Sequence, residues 1–276
     1  MNKTILITGA SSGIGKATAL LFQKNGWNVI ATMRKPEDDR ELSTLKNVFV
    51  TRLDVTDTDS ITQAVALGIK QFGKIDALLN NAGYGAYGPL EATPLDKIER
   101  QFGTNVIGLL NTTKAVLSHF RENKSGVIIN ISSMGGKITF PLGTLYHGTK
   151  FAVEGLSEAL HYEMNAIGVK VKIVEPGMVA TDFGGRSFDF SNNESLTEYQ
   201  GLVQSVFAGF GAAQETASTP ADIAEVIYQS ATDNSDKLRY PAGKGAEVLL
   251  GKRKAEDDDT FLRDIKNQFA VQSIVR

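Results

Sequence analysis

The chain has 276 residues, 42 % hydrophobic and 22 % charged, with a formal net charge of −2. That balance is ordinary for a globular protein and argues against a nucleic-acid or membrane-surface binder. Having no cysteine, the chain excludes disulfides, thiolate metal sites and thiol catalysis.

The opening "MNKTILITGA" has an apolar run too short for a signal peptide. No stretch approaches the roughly 18 uninterrupted apolar residues of a membrane span. The expectation is therefore a soluble, cytoplasmic protein. "TILIT" (4–8) reads as a buried strand, and "GKATALLFQKNG" (15–26) as a helix ending at Gly26. "NVIATMR" (28–34) and "VFVTRLDV" (48–55) are the next strands. A helix follows over 56–73, opened by Thr/Asp caps and closed by Gly73. "IDALLNNAG" (75–83) is a fourth strand running into a glycine turn. The segment 94–123 predicts an unusually long helix, "SGVIINISS" (125–133) a fifth strand, 146–168 a second long helix and "VKVKIVEPG" (169–177) a sixth strand. Residues 181–217 read as irregular. A helix over 219–232 and a last strand over 237–243 follow, and the charge block 251–260 reads as a solvated helix surface.

Alternation of strand and helix implies a parallel sheet with helices on both faces. Right-handed crossovers make it doubly wound, with about seven strands. No internal repeat and no linker rich in Pro, Gly or Ser divides residues 1–276, so one α/β domain is expected.

"TGASSGIG" (8–15) sits between the first strand and the first helix, with glycines at 9, 13 and 15. Such a turn brings backbone close to a phosphate and aims free N–H groups at it. The spacing differs from G-x-G-x-x-G. It resembles the T-G-x-x-x-G-x-G of the classical short-chain dehydrogenases/reductases. "NNAG" (80–83), Asn105, Ser133, the Tyr146-x-x-x-Lys150 pair and "PGMVAT" (176–181) fall where that family has its further motifs, in the same order. The resemblance spans residues 8–181 and implies a Rossmann-like fold. It assigns cofactor contacts to Gly9, Ser11, Ser12, Gly13, Ile14, Gly15, Asp54, Val55, Asn81, Ala82, Gly83, Tyr146, Lys150, Pro176, Gly177, Val179 and Thr181. Residues 1–145 would then hold most of the cofactor, and 146–276 the catalytic helix, a substrate loop at about 182–217 and a C-terminal cover.

The second strand carries no acid at its end, where one would bind a ribose 2′-OH. It runs instead into Arg34 and Lys35. A guanidinium fork suits a phosphate dianion, so NADP(H) is expected over NAD(H), with Arg34 its main ligand and Ser11 or Ser12 helping. Asp54 is also placed to cap the helix that follows.

A tyrosine ordinarily titrates near pH 10 and needs tuning to move a proton at neutral pH. Lys150 shares a helix face with Tyr146, so its charge is expected to lower the tyrosine. His147 faces elsewhere, and His119 and His161 read as surface or packing residues. No acids or histidines are spaced for a metal, and none is expected. Resemblance gives Ser133, rather than Ser132, the role of holding the substrate oxygen. It gives Asn105 a water leading to Lys150, and Lys150 the nicotinamide ribose.

The implied activity is NADPH-dependent reduction of a ketone or aldehyde, or its reverse. Phe183, Phe188, Phe190, Tyr199, Leu202, Val203, Phe207 and Phe210 suggest an apolar substrate pocket. This segment and "RYPAG" resemble the steroid, retinol and general carbonyl-reductase branch. A non-catalytic NADP-binding redox sensor is the alternative, weakened by the intact Ser133, Tyr146 and Lys150. An epimerase or dehydratase of the extended type fits the glycine spacing less well. Resemblance further implies a homodimer or homotetramer through the helices 94–123 and 146–166, a small-molecule partner, and neither nucleic acid nor membrane.

Overall fold

The computed structural model describes residues 2–180, 187–214 and 217–269, with backbone alone for 212–214 and 244. The first half runs β1 (Thr4–Ile7), α1 (Gly13–Lys24), β2 (Asn28–Met33), β3 (Val48–Arg52), α2 (Thr58–Phe72), β4 (Ala77–Asn80) and β5 (Gly85–Tyr87). Then come α3 (Leu95–Phe102), α4 (Gly108–Asn123), β6 (Gly126–Ile131), α5 (Thr144–Asn165) and β7 (Val169–Pro176). The remainder is β8 (Phe188–Phe190), α6 (Thr197–Gln214), α7 (Pro220–Thr232), β9 (Arg239–Ala242), α8 (Lys244–Ala255) and α9 (Asp258–Gln268).

Seven strands pair in parallel in the order β3-β2-β1-β4-β6-β7-β9. Chain order reverses beside β1, so the carboxyl ends of β1 and β4 open a crevice where such sheets place ligands. The strands are apolar because both faces are covered. Ile5 and Ile7 pack with Phe22 of α1 and Ile223 and Ile227 of α7, while Leu6 packs on the other face with Val116 and Phe120 of α4. All three strand residues are fully buried, each burial stabilising the fold by about 1.5–3 kcal/mol. This is the expected Rossmann-like, doubly wound α/β domain.

Local chemistry sets the helix ends. Asp57 caps α2 by accepting from the Asp59 and Ser60 amides, and Gly73 closes it at φ 85°. Thr219 and Asp222 form a capping box at α7, with Pro220 at the first helical position. The long segment predicted as one helix contains a π-helical stretch, Gly103–Ile107, between α3 and α4. The expectation of an irregular 181–217 is corrected, since its described part holds β8 and the 18-residue α6. β8 pairs with β5 in a small separate sheet. α6 survives its glycines because Val203 and Val206 pack with Phe261 and Ile265 of α9. Together they cover the loop 134–142. The charge block spans the end of α8 and the start of α9, largely exposed. Among the described residues no helix is long and apolar enough to cross a membrane.

Candidate active site

The glycine turn needs its glycines. Gly9 and Gly13 adopt φ values of 68° and 54°, in the left-handed region that side chains disfavour. A Cβ at Gly15 would collide with the Gly9 carbonyl oxygen and come within 2.6 Å of Asn81 Nδ2. Asn81 explains that crowding. Its side-chain amide donates to the carbonyls of Thr8 (2.9 Å) and Gly9 (3.1 Å). Thr8 Oγ1 accepts in return from the amides of Asn81 (2.9 Å) and Ala82 (3.0 Å). The turns after β1 and β4 are thus tied together by Thr8, which opens the 8–15 motif but is assigned no role by the resemblance. Ser12 precedes α1 without capping it, and no acid stands in the first turn. The first amides of α1 remain available to an anion.

Gly9, Ser11, Ser12, Gly13, Ile14, Arg34, Asp54, Val55, Asn81, Ala82 and Gly83 line one cavity of about 960 Å³. Ser133, Tyr146, Lys150, Pro176, Gly177 and Val179 line the same cavity. Gly15 lies beneath the turn, and Thr181 falls outside the described residues. Arg34 is exposed directly after β2. Asp54 does not cap α2. Its Oδ1 accepts from the Thr56 amide at 3.0 Å and from its hydroxyl at 2.8 Å. The cradle suits a dinucleotide: glycines where backbone must approach, free helix amides, and a cation beyond β2. Among the described residues no three His, Asp or Glu side chains group to hold a metal.

At the other end, Ser133 follows β6. Its Oγ accepts from the Gly135 amide at 3.0 Å and lies 3.4 Å from the Pro176 carbonyl. Tyr146 is in the first turn of α5 and hydrogen-bonds with Ser133. Burial raises the tyrosine above its ordinary pKa, and the Ser133 bond opposes this only in part. The expectation that Lys150 lowers Tyr146 is therefore not met by the protein alone. The reason is placement. Lys150 Nζ lies 5.8 Å from the Tyr146 ring centre and donates to the Ile131 carbonyl at 2.9 Å. Burial itself lowers Lys150 to about 8, against Glu154, whose charge raises it.

Asn105 occupies the π-helical stretch. Its Oδ1 accepts from the Tyr84 amide (3.1 Å), and its Nδ2 donates to the Tyr84 carbonyl (2.9 Å) and to Thr149 Oγ1 (3.2 Å). It links the turn after β4 to α5. His147, in the first turn of α5, is buried against the loop that follows Ser133. Its Nδ1 donates to the Gly135 carbonyl at 2.9 Å, and its Nε2 accepts from the Phe140 amide at 3.0 Å. Those two bonds need the neutral ring, and burial lowers its pKa in the same sense. The imidazole holds the loop behind Ser133 in place.

Behind Lys150 lies a buried acidic pair that the sequence reading missed. Glu154, one turn after Lys150, and Glu175, next to Pro176, are each only 3 % exposed. Arg239 of β9 gives its Nε to Glu154 at 2.9 Å and its Nη2 to Glu158 at 2.5 Å, with Glu175 at 3.8 Å from Nε. Lys137 stands 3.7 Å from Glu154. Burial, then the Glu154 charge, pushes Glu175 up to about 7, against Arg239 and Lys137. The available signal was a lone acid in an otherwise buried strand.

Tyr84, Tyr87, Phe140, Phe188, Phe207 and Phe210 line the cavity beyond Tyr146. Phe188, Phe207 and Phe210 were expected there. Phe190, Leu202 and Val203 pack instead with the α9 cover. Tyr199 donates to Glu91 at 3.0 Å, and Phe183 lies outside the described residues.

The fold and cleft define a doubly wound α/β protein with a polar Ser–Tyr–Lys wall at its crevice. The family model for short chain dehydrogenases matches residues 3–191. An uncharacterised oxidoreductase of Schizosaccharomyces pombe is 48 % identical over 239 residues, 87 % of this chain and 100 % of that protein. A 3-ketodihydrosphingosine reductase of Bacteroides thetaiotaomicron is 35 % identical over 97 % of this chain and 96 % of its own. The solved structure of ElxO with NADP bound superposes with a TM-score of 0.75 at 30 % identity, covering 90 % of this chain and 100 % of that one. The chain belongs to the short-chain dehydrogenase family of oxidoreductases.

Proposed function

We propose that the protein is an NADPH-dependent oxidoreductase that reduces a ketone or aldehyde carbonyl to an alcohol, or runs the reverse. One observation carries the reading. A single cleft joins the glycine turn and Arg34 to Ser133, Tyr146 and Lys150. When bound, the reduced nicotinamide supplies hydride to the carbonyl carbon. The first amides of α1 hold the pyrophosphate, and Arg34 with Ser11 or Ser12 holds the 2′-phosphate. Asp54 and Val55 contact the adenine. Ala82, Gly83, Pro176, Gly177 and Val179 fix the ring end, with Thr181.

Ser133 Oγ hydrogen-bonds the substrate oxygen and orients it. The Tyr146 hydroxyl gives that oxygen its proton as charge develops there. A phenol raised by burial stays protonated at neutral pH and so holds the proton that this direction requires. The reverse reaction needs the phenolate; Lys150 is the cation near Tyr146, and an oxidised nicotinamide, when bound, would supply the further positive charge that favours it. Lys150 also holds the ribose, and Asn105 holds the helix that carries it. Residues 1–145 hold most of the cofactor, while the catalytic helix, the substrate loop at about 182–217 and the C-terminal cover lie in 146–276. Exposed Phe102, Ile107 and Phe151, on the segment 94–123 and α5, support a homodimer or homotetramer through these helices. The NADP held by ElxO and the keto group in the name of the Bacteroides reductase agree with this reading.

The test is consumption of NADPH, beside NADH, with ketones, aldehydes, quinones and acyl thioesters. Tyr146→Phe should keep NADPH affinity and lose reduction by about a hundredfold or more. Near-wild-type turnover by this variant would remove Tyr146 from the chemistry. NADPH binding by the wild type without turnover of any carbonyl would favour a redox sensor.

A further inference from the structure

Tyr87 ends β5 and is only 8 % exposed, yet it lines the cavity. Its ring is the centre of an aromatic stack. Tyr146 lies on one side at 5.4 Å between centres and 30° between planes, and Phe188 at 5.4 Å and 28°. The rings of Phe210 and His147 meet it edge-on at 5.6 Å and 6.1 Å. These contacts satisfy the ring. They do nothing for the hydroxyl, which has no hydrogen-bond partner among the described residues. His147 has committed both ring nitrogens to Gly135 and Phe140. By contrast Tyr84, the other phenol of this region, accepts from Arg100 Nε at 3.1 Å.

The Tyr87 hydroxyl is not sealed from the cavity, so its lack of a protein partner leaves it open to a ligand. A phenylalanine would give the same stack without that polar group. Burial and the neighbouring Tyr146 both push the Tyr87 pKa upward, so the group stays a neutral donor and acceptor.

We propose that Tyr87 is a specificity-determining residue whose hydroxyl hydrogen-bonds a hydroxyl or amino group carried by the substrate beside the reacting carbonyl. The inference rests on the proposed reductase reading and narrows its substrate class. The Tyr87 and Tyr146 rings neighbour each other on the cavity wall, so a substrate whose oxygen meets Tyr146 brings its nearby atoms alongside Tyr87. Phe140, Phe188, Phe207 and Phe210 then take the apolar remainder of the molecule. A site built to pair a substrate polar group discriminates strongly against an analogue that lacks it, because the protein group is then left unpaired.

The experiment compares the full-length wild type with Tyr87→Phe, using NADPH and the matched pair acetophenone and α-hydroxyacetophenone. The variant keeps the ring, so its melting temperature and NADPH affinity should match wild type. Its kcat/KM for the hydroxyketone should fall about tenfold or more, with acetophenone changed less than about twofold. An equal fall with both ketones, or no change with either, would show that Tyr87 only packs and would overturn the proposal. Absence of NADPH consumption by the wild type with either ketone would count against the reductase reading itself, and the inference would fall with it.

Discussion

Replacing Glu175 by glutamine tests the buried acidic pair directly, without knowing the substrate. Glutamine keeps the shape and can still donate toward Glu154, but it does not titrate. The wild-type carboxyl is pushed from 4.5 to about 7 in the folded protein. Below pH 4.5 both folded and unfolded chains hold the proton, so the shift has no effect on stability. Above it the unfolded chain releases the proton while the folded chain retains it. Stability therefore falls as pH rises toward 7 and is level beyond. At about 1.4 kcal/mol per pH unit, the full loss is about 3 kcal/mol. Glu175→Gln escapes this loss. Its stability minus that of the wild type should thus grow by about 3 kcal/mol between pH 4.5 and pH 7.5. Urea unfolding of both proteins across this range measures the difference, and titrations of groups remote from Glu175 cancel. A difference independent of pH, or one that shrinks as pH rises, would refute the reasoning. It would mean that Arg239 and Lys137 keep Glu175 ionised throughout.

Arg34→Asp should invert the cofactor choice. The NADPH/NADH ratio of kcat/KM should fall by about a hundredfold, since an acid repels the 2′-phosphate and receives a 2′-OH. An unchanged ratio would place the phosphate ligand elsewhere. Gly15→Ala drives a methyl into the Gly9 carbonyl and the Asn81 amide, so NADPH affinity should fall about tenfold or more, read by quenching of protein fluorescence. Affinity equal to wild type would show that the turn can yield.

What could be read in advance was the chemistry of neighbours in the chain. Ile5, Leu6 and Ile7 followed by Gly9 announce a buried strand and a tight turn within a few residues, and the four-residue spacing of Tyr146 and Lys150 puts them on one helix face. β8 and α6 were lost because their support is distant. β8 is three residues long, too short for a period to show, and is held by β5 across about a hundred positions. α6 contains Gly201, Gly209 and Gly211, which argue against a helix until Phe261, Ile265 and Phe269 of the C-terminal cover are seen against it. The surroundings of Tyr146 were hidden for the same reason. Spacing places a cation nearby, but only the packed site shows that burial dominates and that Lys150 is held by Ile131. The Glu154–Glu175–Arg239 cluster draws on α5, β7 and β9, and Tyr87 meets Tyr146 from another sheet. Motif residues therefore define the reaction the family performs. The groupings that no motif contains, Tyr87 beside Tyr146 and Glu175 beside Glu154 and Arg239, are assembled from segments whose meeting no local pattern announces. Tyr87→Phe and Glu175→Gln bear on individuality, whereas Tyr146→Phe bears on class, and the two kinds of result can disagree without contradiction.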